Sequence, residues 1–95
     1  MEADEINGTV INSVVSEDVS IGKSSVVRNS VIMRGTVIGE NVTVDYGMLD
    51  ENVTVENDVV IGDENSSKER IALIGRGSLI KKGSVIASGE IVENK

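Results

Sequence analysis

The chain has 95 residues, 39% of them hydrophobic, with a single aromatic side chain and a formal net charge of −7, which bounds it to one small domain with an aliphatic core and argues against nucleic acid or an anionic membrane as partner. Cysteine, histidine and proline are absent, so disulfides, thiolate metal sites, a cysteine nucleophile and an imidazole base or ligand are excluded together. No apolar run is long enough to span a bilayer, and the acidic opening Met1-Glu2-Ala3-Asp4-Glu5 lacks the basic start of a secretory signal, so a cytoplasmic protein is expected.

The aliphatic residues are 16 valines, 11 isoleucines and 3 leucines, and β-branched side chains favour strands over helix interiors. Taken in order, the chain opens with Asn7-Gly8, a hairpin-type pair, and then from Asn12 aligns with itself in rows of 17: residues 12–28, 29–45 and 46–62. Within the rows an aliphatic residue recurs at steps of six, six and five: Val15, Ile21, Val27; Ile32, Ile38, Val44; Leu49, Val55, Ile61. A second, smaller residue precedes each by two, as Ser13, Ser25, Ser30, Thr36 and Gly47 do. Residues two apart on a strand share a face, so each unit sends one small and one aliphatic side chain inward and then turns. The turns hold Glu17-Asp18, Gly22-Lys23-Ser24, Gly39-Glu40-Asn41 and Glu51-Asn52, residue types that tolerate left-handed backbone angles. Helical spacing is not matched, and hairpin signals between strands are missing. The pattern predicts an all-β protein, a parallel β-helix of about five triangular coils in one domain over residues 1–95, with its core at 8–92. Asn12 is expected to stack on Asn29 in a corner ladder ending at Tyr46. The polar stretch 63–71 reads as a loop thrown out of the coil, after which Ile74, Ile80 and Ile86 resume the spacing and Ile91-Val92 forms a last partial strand.

Little chemistry is available. The carboxylates fall in turns facing water, Ser24-Ser25 and Ser66-Ser67 have no base to activate them, and no helix follows Gly75-Arg76-Gly77 to make it a phosphate loop. The threonines lie on different faces, which rules out a flat threonine array. No catalytic residue, metal ligand or cofactor is therefore expected. Two surface features remain. Basic residues concentrate in the last third, where Arg70, Arg76, Lys81 and Lys82 form a candidate anion site. The residue before each inward aliphatic one faces solvent, and on one face Val14, Val31 and Met48 stack with Met33 beside them, a candidate docking face.

The hexads Ile21-Gly22, Ile38-Gly39, Ile61-Gly62 and Ile74-Gly75 resemble the hexapeptide-repeat family, a resemblance that implies a left-handed parallel β-helix. The enzymes of that fold use histidine, which this chain lacks. The runs Gly8-Thr9-Val10-Ile11-Asn12-Ser13-Val14, Asn29-Ser30-Val31-Ile32-Met33 and Val37-Ile38-Gly39-Glu40-Asn41 are similar to the C-terminal domain of the glucose-1-phosphate adenylyltransferase (ADP-glucose pyrophosphorylase) family, regulatory-subunit type, over about residues 8–92. That resemblance implies a non-catalytic assembly and regulatory domain of an enzyme of glycogen biosynthesis. Its expected partners are a homo-oligomer or the catalytic domain or subunit, and a phosphorylated effector at the basic cluster. The family's catalytic nucleotidyltransferase domain has no counterpart in these residues. The alternative is a stand-alone structural β-helix, or the scaffold of another sugar-phosphate nucleotidyltransferase.

Overall fold

The structure, a computed structural model, describes residues 5–94. Three parallel five-stranded sheets make three faces. Face A stacks β1 (Glu5–Ile6), β4 (Ser20–Ile21), β7 (Val37–Ile38), β10 (Thr54–Val55) and β13 (Leu79–Ile80). Face B stacks β2 (Thr9–Ile11), β5 (Val26–Arg28), β8 (Thr43–Asp45), β11 (Val60–Ile61) and β14 (Val85–Ile86). Face C stacks β3 (Val14–Val15), β6 (Val31–Ile32), β9 (Gly47–Leu49), β12 (Ala72–Ile74) and β15 (Ile91–Val92). Each strand pairs with the one three places along the chain, so the polypeptide winds as a solenoid of five coils with one strand per face in each. Val14 lies opposite Val31, Ser20 opposite Val37 and Val26 opposite Thr43, which is the 17-residue period seen as register.

Alternation along these short strands fills the interior. Ile21, Ile38 and Val55 on face A, Val27, Val44 and Ile61 on face B, and Ile32, Leu49 and Ile74 on face C are buried in one aliphatic column. Their neighbours Val37, Met48 and Val60 point out. Val15 points inward as expected but is only half-buried, because it belongs to the first coil, whose column has a neighbour on one side only.

The corners explain the polar residues of the repeat. Asp18, Gly35, Asn52 and Gly77 turn the chain from face C to face A, Ser24, Asn41, Asp58 and Gly83 from A to B, and Asn12, Asn29 and Tyr46 from B to C; all have positive φ. A left-handed residue other than glycine costs about 1–2 kcal/mol, and Asn and Asp bear it best. The stacked corners also bond to each other: Asn12 Nδ2 donates to Asn29 Oδ1 at 2.7 Å, and Asn41 Nδ2 to Asp58 Oδ1 at 2.8 Å. The inward hydroxyls complete the corners. Ser25 Oγ donates to the Gly39 carbonyl and accepts the Val42 N–H, and Thr36 Oγ1 does the same with Asp50 and Val53.

Two departures from the period are resolved. A strand, β1, precedes residue 8, where the core was expected to open; Glu5 lies opposite Ser20, an offset of 15, so the first coil is shortened and its strand escapes a search at period 17. Thr54 lies opposite Leu79, Val60 opposite Val85 and Met48 opposite Leu73, an offset of 25 and hence an eight-residue insertion. It falls between β11 and β12. Gly62 begins it, buried, at φ 100, where a Cβ would lie 2.4 Å from the Asp45 carbonyl oxygen.

Candidate functional site

Face C presents an unbroken apolar stripe. Its outward residues are Val14, Val31, Met48, Leu73 and Ile91, paired in that order across β3, β6, β9, β12 and β15. The outward residues of face A, by contrast, include Glu5, Ser20 and Thr54, and those of face B include Thr9 and Thr43. Val14 and Ile91, at its two ends, are each 63% exposed, and Met48 and Leu73 between them are also open to solvent. At the upper end Met48, Leu73, Ile91 and Val92 line a shallow groove of about 230 Å³, edged by Asp50 and Glu93. The sequence-predicted Val14, Val31 and Met48 are therefore brought together. Met33 sits at the corner flanking the stripe, half-buried, its N–H bonded to the Leu49 carbonyl. Leu73 and Ile91 were missed because the insertion breaks the 17-residue count; the signal was present, since each stands immediately before an inward aliphatic residue, Ile74 and Val92.

The four basic residues of the candidate anion site are distributed around the last two coils. Arg70 ends the inserted loop before face C, Arg76 lies at the corner between faces C and A, and Lys81-Lys82 at the corner between A and B. Each corner is separated from the next by the width of a face. Arg70 is engaged, its Nε donating to Ser88 Oγ at 3.2 Å. Elsewhere charges pair along the axis: Arg28 with Asp45 at 3.4 Å, and Arg34 with both Glu17 and Asp18 at 3.7 Å.

The loop is built rather than loose. Asp63 accepts the Asn65 N–H at 2.8 Å and the Ser88 N–H at 3.1 Å, while its own N–H donates to Ser66 Oγ at 2.8 Å. The backbone donors of Ser88 and Asn65 hold the Asp63 carboxyl below its ordinary value. With the Arg70–Ser88 bond, this clamps the loop onto the last coil. Among the described residues no group of carboxylates is placed to hold a metal ion, and no helix is long and apolar enough to cross a membrane.

Five coils of hexads with aliphatic ladders inside and αL corners outside define a parallel β-solenoid of the hexapeptide-repeat class. Residues 5–80 match the family model described as GlmU-like, C-terminal hexapeptide, and the chain belongs to that family. It is 40% identical over 69 residues to a glucose-1-phosphate adenylyltransferase of Corynebacterium diphtheriae, a match covering 73% of this chain and 16% of the relative. It is 36% identical over 73 residues to the enzyme of the same name from Corynebacterium jeikeium, covering 77% and 18%. The chain thus spans less than a fifth of these relatives' length. A crystal structure from Bacillus cereus, of a protein described as a candidate acetyltransferase, superposes with a TM-score of 0.44 at 22% identity, covering 95% of this chain and 69% of that one.

Proposed function

We propose that the chain is the non-catalytic assembly and regulatory domain of a glucose-1-phosphate adenylyltransferase, an enzyme that joins ATP and glucose 1-phosphate into ADP-glucose and pyrophosphate for glycogen biosynthesis. The observation that carries this reading is the apolar stripe of face C, from Val14 to Ile91, on a chain that matches such enzymes over most of its own length and a small part of theirs. Leaving aliphatic surface in water costs about 25 cal/mol per Å², and a continuous stripe of it is characteristic of a docking surface. The partner it fits is the catalytic part of the enzyme, which supplies the chemistry that a chain without histidine or cysteine does not. The acidic edge formed by Asp50 and Glu93 favours a partner surface that is apolar with flanking lysine or arginine.

Mixing the chain with a separately produced catalytic portion of the enzyme tests the assembly role. A stable complex is expected by sedimentation. The double substitution Val31→Lys, Met48→Lys is expected to abolish it while the far-ultraviolet spectrum stays that of a β-protein; no complex with the unaltered chain removes the reading. For the regulatory role, titration with a sugar bisphosphate is expected to shift the amide resonances of Arg76 or of Lys81 and Lys82, one corner of the prism at a time. Unmoved resonances at all three would leave a domain of assembly alone.

A further inference from the structure

The corner between faces B and C changes character along the axis. In the first two coils its left-handed residue is asparagine: Asn12 donates to Asn29, and Asn29 Nδ2 reaches Asp45 Oδ1 at 3.5 Å, so the side-chain ladder runs out on Asp45. In the third coil the corner residue is Tyr46, the only aromatic of the chain. Tyr46 holds φ 51, the angle that Asn12 and Asn29 take at φ 48 and 51. A phenol gains nothing there from the local hydrogen bonding that eases asparagine into this region. The Tyr46 backbone is fixed by the coils on either side, its N–H donating to the Arg28 carbonyl and its carbonyl accepting the Ala72 N–H. The residue is half-buried, and its hydroxyl makes no hydrogen bond to any of the described residues. In the next coil Ala72 lies opposite Gly47 and Leu73 opposite Met48, which places Ile71 over Tyr46 at the same corner. Ile71, Leu73 and Met48 are 37%, 38% and 41% exposed. The stripe of face C is thus bordered on this side by asparagine beside Val14 and Val31, and by apolar side chains beside Met48 and Leu73.

Strain held at a corner where the local preference is for asparagine marks a side chain with another role. From the strained corner, the unbonded hydroxyl and the widened apolar patch we infer that Tyr46 is the anchor of face C, the side chain over which the partner surface closes, with Met48, Ile71 and Leu73 around it. The inference rests on the proposed docking of face C against the catalytic portion of the enzyme, and it specifies what that portion presents. It is an apolar side chain seated on the patch, together with a hydrogen-bond acceptor for the Tyr46 hydroxyl. Tyrosine brings a large, rigid apolar face and a polar tip, and it is enriched among the residues that carry binding energy. The patch lies on the third and fourth of five coils, near the middle of the stripe, where an interface excludes water best. The patch is continuous with the stripe, and the relatives that this chain matches have more than four-fifths of their length outside the match to cover it.

Calorimetric titration of the chain against the separately produced catalytic portion, with the thermal midpoint of each variant measured alone, decides it. Tyr46→Asn gives this corner the residue it has in the two coils below. Its midpoint is expected at or above that of the unaltered chain, while its complex weakens about tenfold or more. Tyr46→Phe keeps the ring, loses the hydroxyl and should weaken the complex by less, and Ile71→Ser should weaken it in the same direction as Tyr46→Asn. A complex as tight with Tyr46→Asn as with the unaltered chain, where Val31→Lys with Met48→Lys abolishes it, overturns the inference and leaves face C as the docking surface. A lower midpoint for Tyr46→Asn overturns it too, because the ring is then held within the chain. So does a chain that dimerises alone and is returned to one copy by Tyr46→Asn, which makes a second copy the occupant. Absence of any complex with the unaltered chain removes the docking reading and the inference together.

Discussion

Among the described residues, eight other than glycine hold positive φ, and six of them are Asn or Asp. The exceptions, Ser24 and Tyr46, are where local preference and fold disagree. Ser24 has φ 63 and sits at the foot of the column whose next members, Asn41 and Asp58, are joined by a side-chain hydrogen bond. Ser24→Asn should relieve the backbone and extend that ladder by one rung. A gain of about 0.5–1 kcal/mol is expected in the unfolding free energy measured by urea titration; a loss would mean that the Ser24 hydroxyl holds something the corner geometry does not show. Asp63 carries a pH dependence of known sign. The Ser88 and then the Asn65 N–H hold its carboxyl below 3.8 in the folded chain. The clamp's contribution is therefore present above the unfolded value and lost as the pH falls through the lower, folded one. Asp63 is exposed, so the effect is local. Protection of the Ser88 amide, taken relative to its intrinsic exchange rate, is expected to fall on acidification through the lowered Asp63 titration, and Asp63→Ala should lower it likewise at neutral pH.

At the level of the element, the unit is a two- or three-residue strand followed by a corner whose N–H groups need partners. Where a buried hydroxyl supplies them, its removal is costly; where it has none, removal is not. Thr36→Val keeps the shape but strands the Val53 N–H and the Asp50 carbonyl, at an expected cost of about 1–3 kcal/mol. Ser78→Ala deletes a buried hydroxyl that bonds nothing and should be neutral or slightly stabilising for the single chain. Thermal midpoints of the two variants check the contrast, and equal losses would refute it. The strands themselves were legible from sequence because the step of six, six and five is a direct image of three flat faces and three corners: Val27 to Ile32 is the short step, and its corner is the tight Asn29 turn. What escaped was whatever changed the count. The shortened first coil hid β1, and the eight-residue insertion hid Leu73 and Ile91 from the stripe begun by Val14. The basic residues looked clustered only because sequence proximity was read as spatial proximity; in a solenoid, residues six apart lie on different faces, so Arg76 and Lys82 occupy different corners. Residues 17 apart are the ones that meet, as Arg34 and Glu17 do.

Taken whole, the molecule is nearly one-dimensional: each coil touches only the coil before and the coil after, so stability is a sum of coil terms and neighbour terms and must decline toward the ends. The core columns show this directly. Val44 and Leu49 in the third coil are fully covered, Ile86 in the fifth is slightly open, and Val10 at the foot of face B is exposed. Truncating an inward side chain to alanine should therefore cost very different amounts along the axis. Leu49→Ala, in the middle coil, is expected to lose about 2–5 kcal/mol, since neighbours on both sides hold the cavity open. Val15→Ala, on the same face in the first coil, removes a half-buried side chain that has a neighbour on one side and should cost about 1 kcal/mol or less. Hydrogen exchange should show the matching gradient, with the amides of β7 to β9 slowest and those of β1 to β3 fastest.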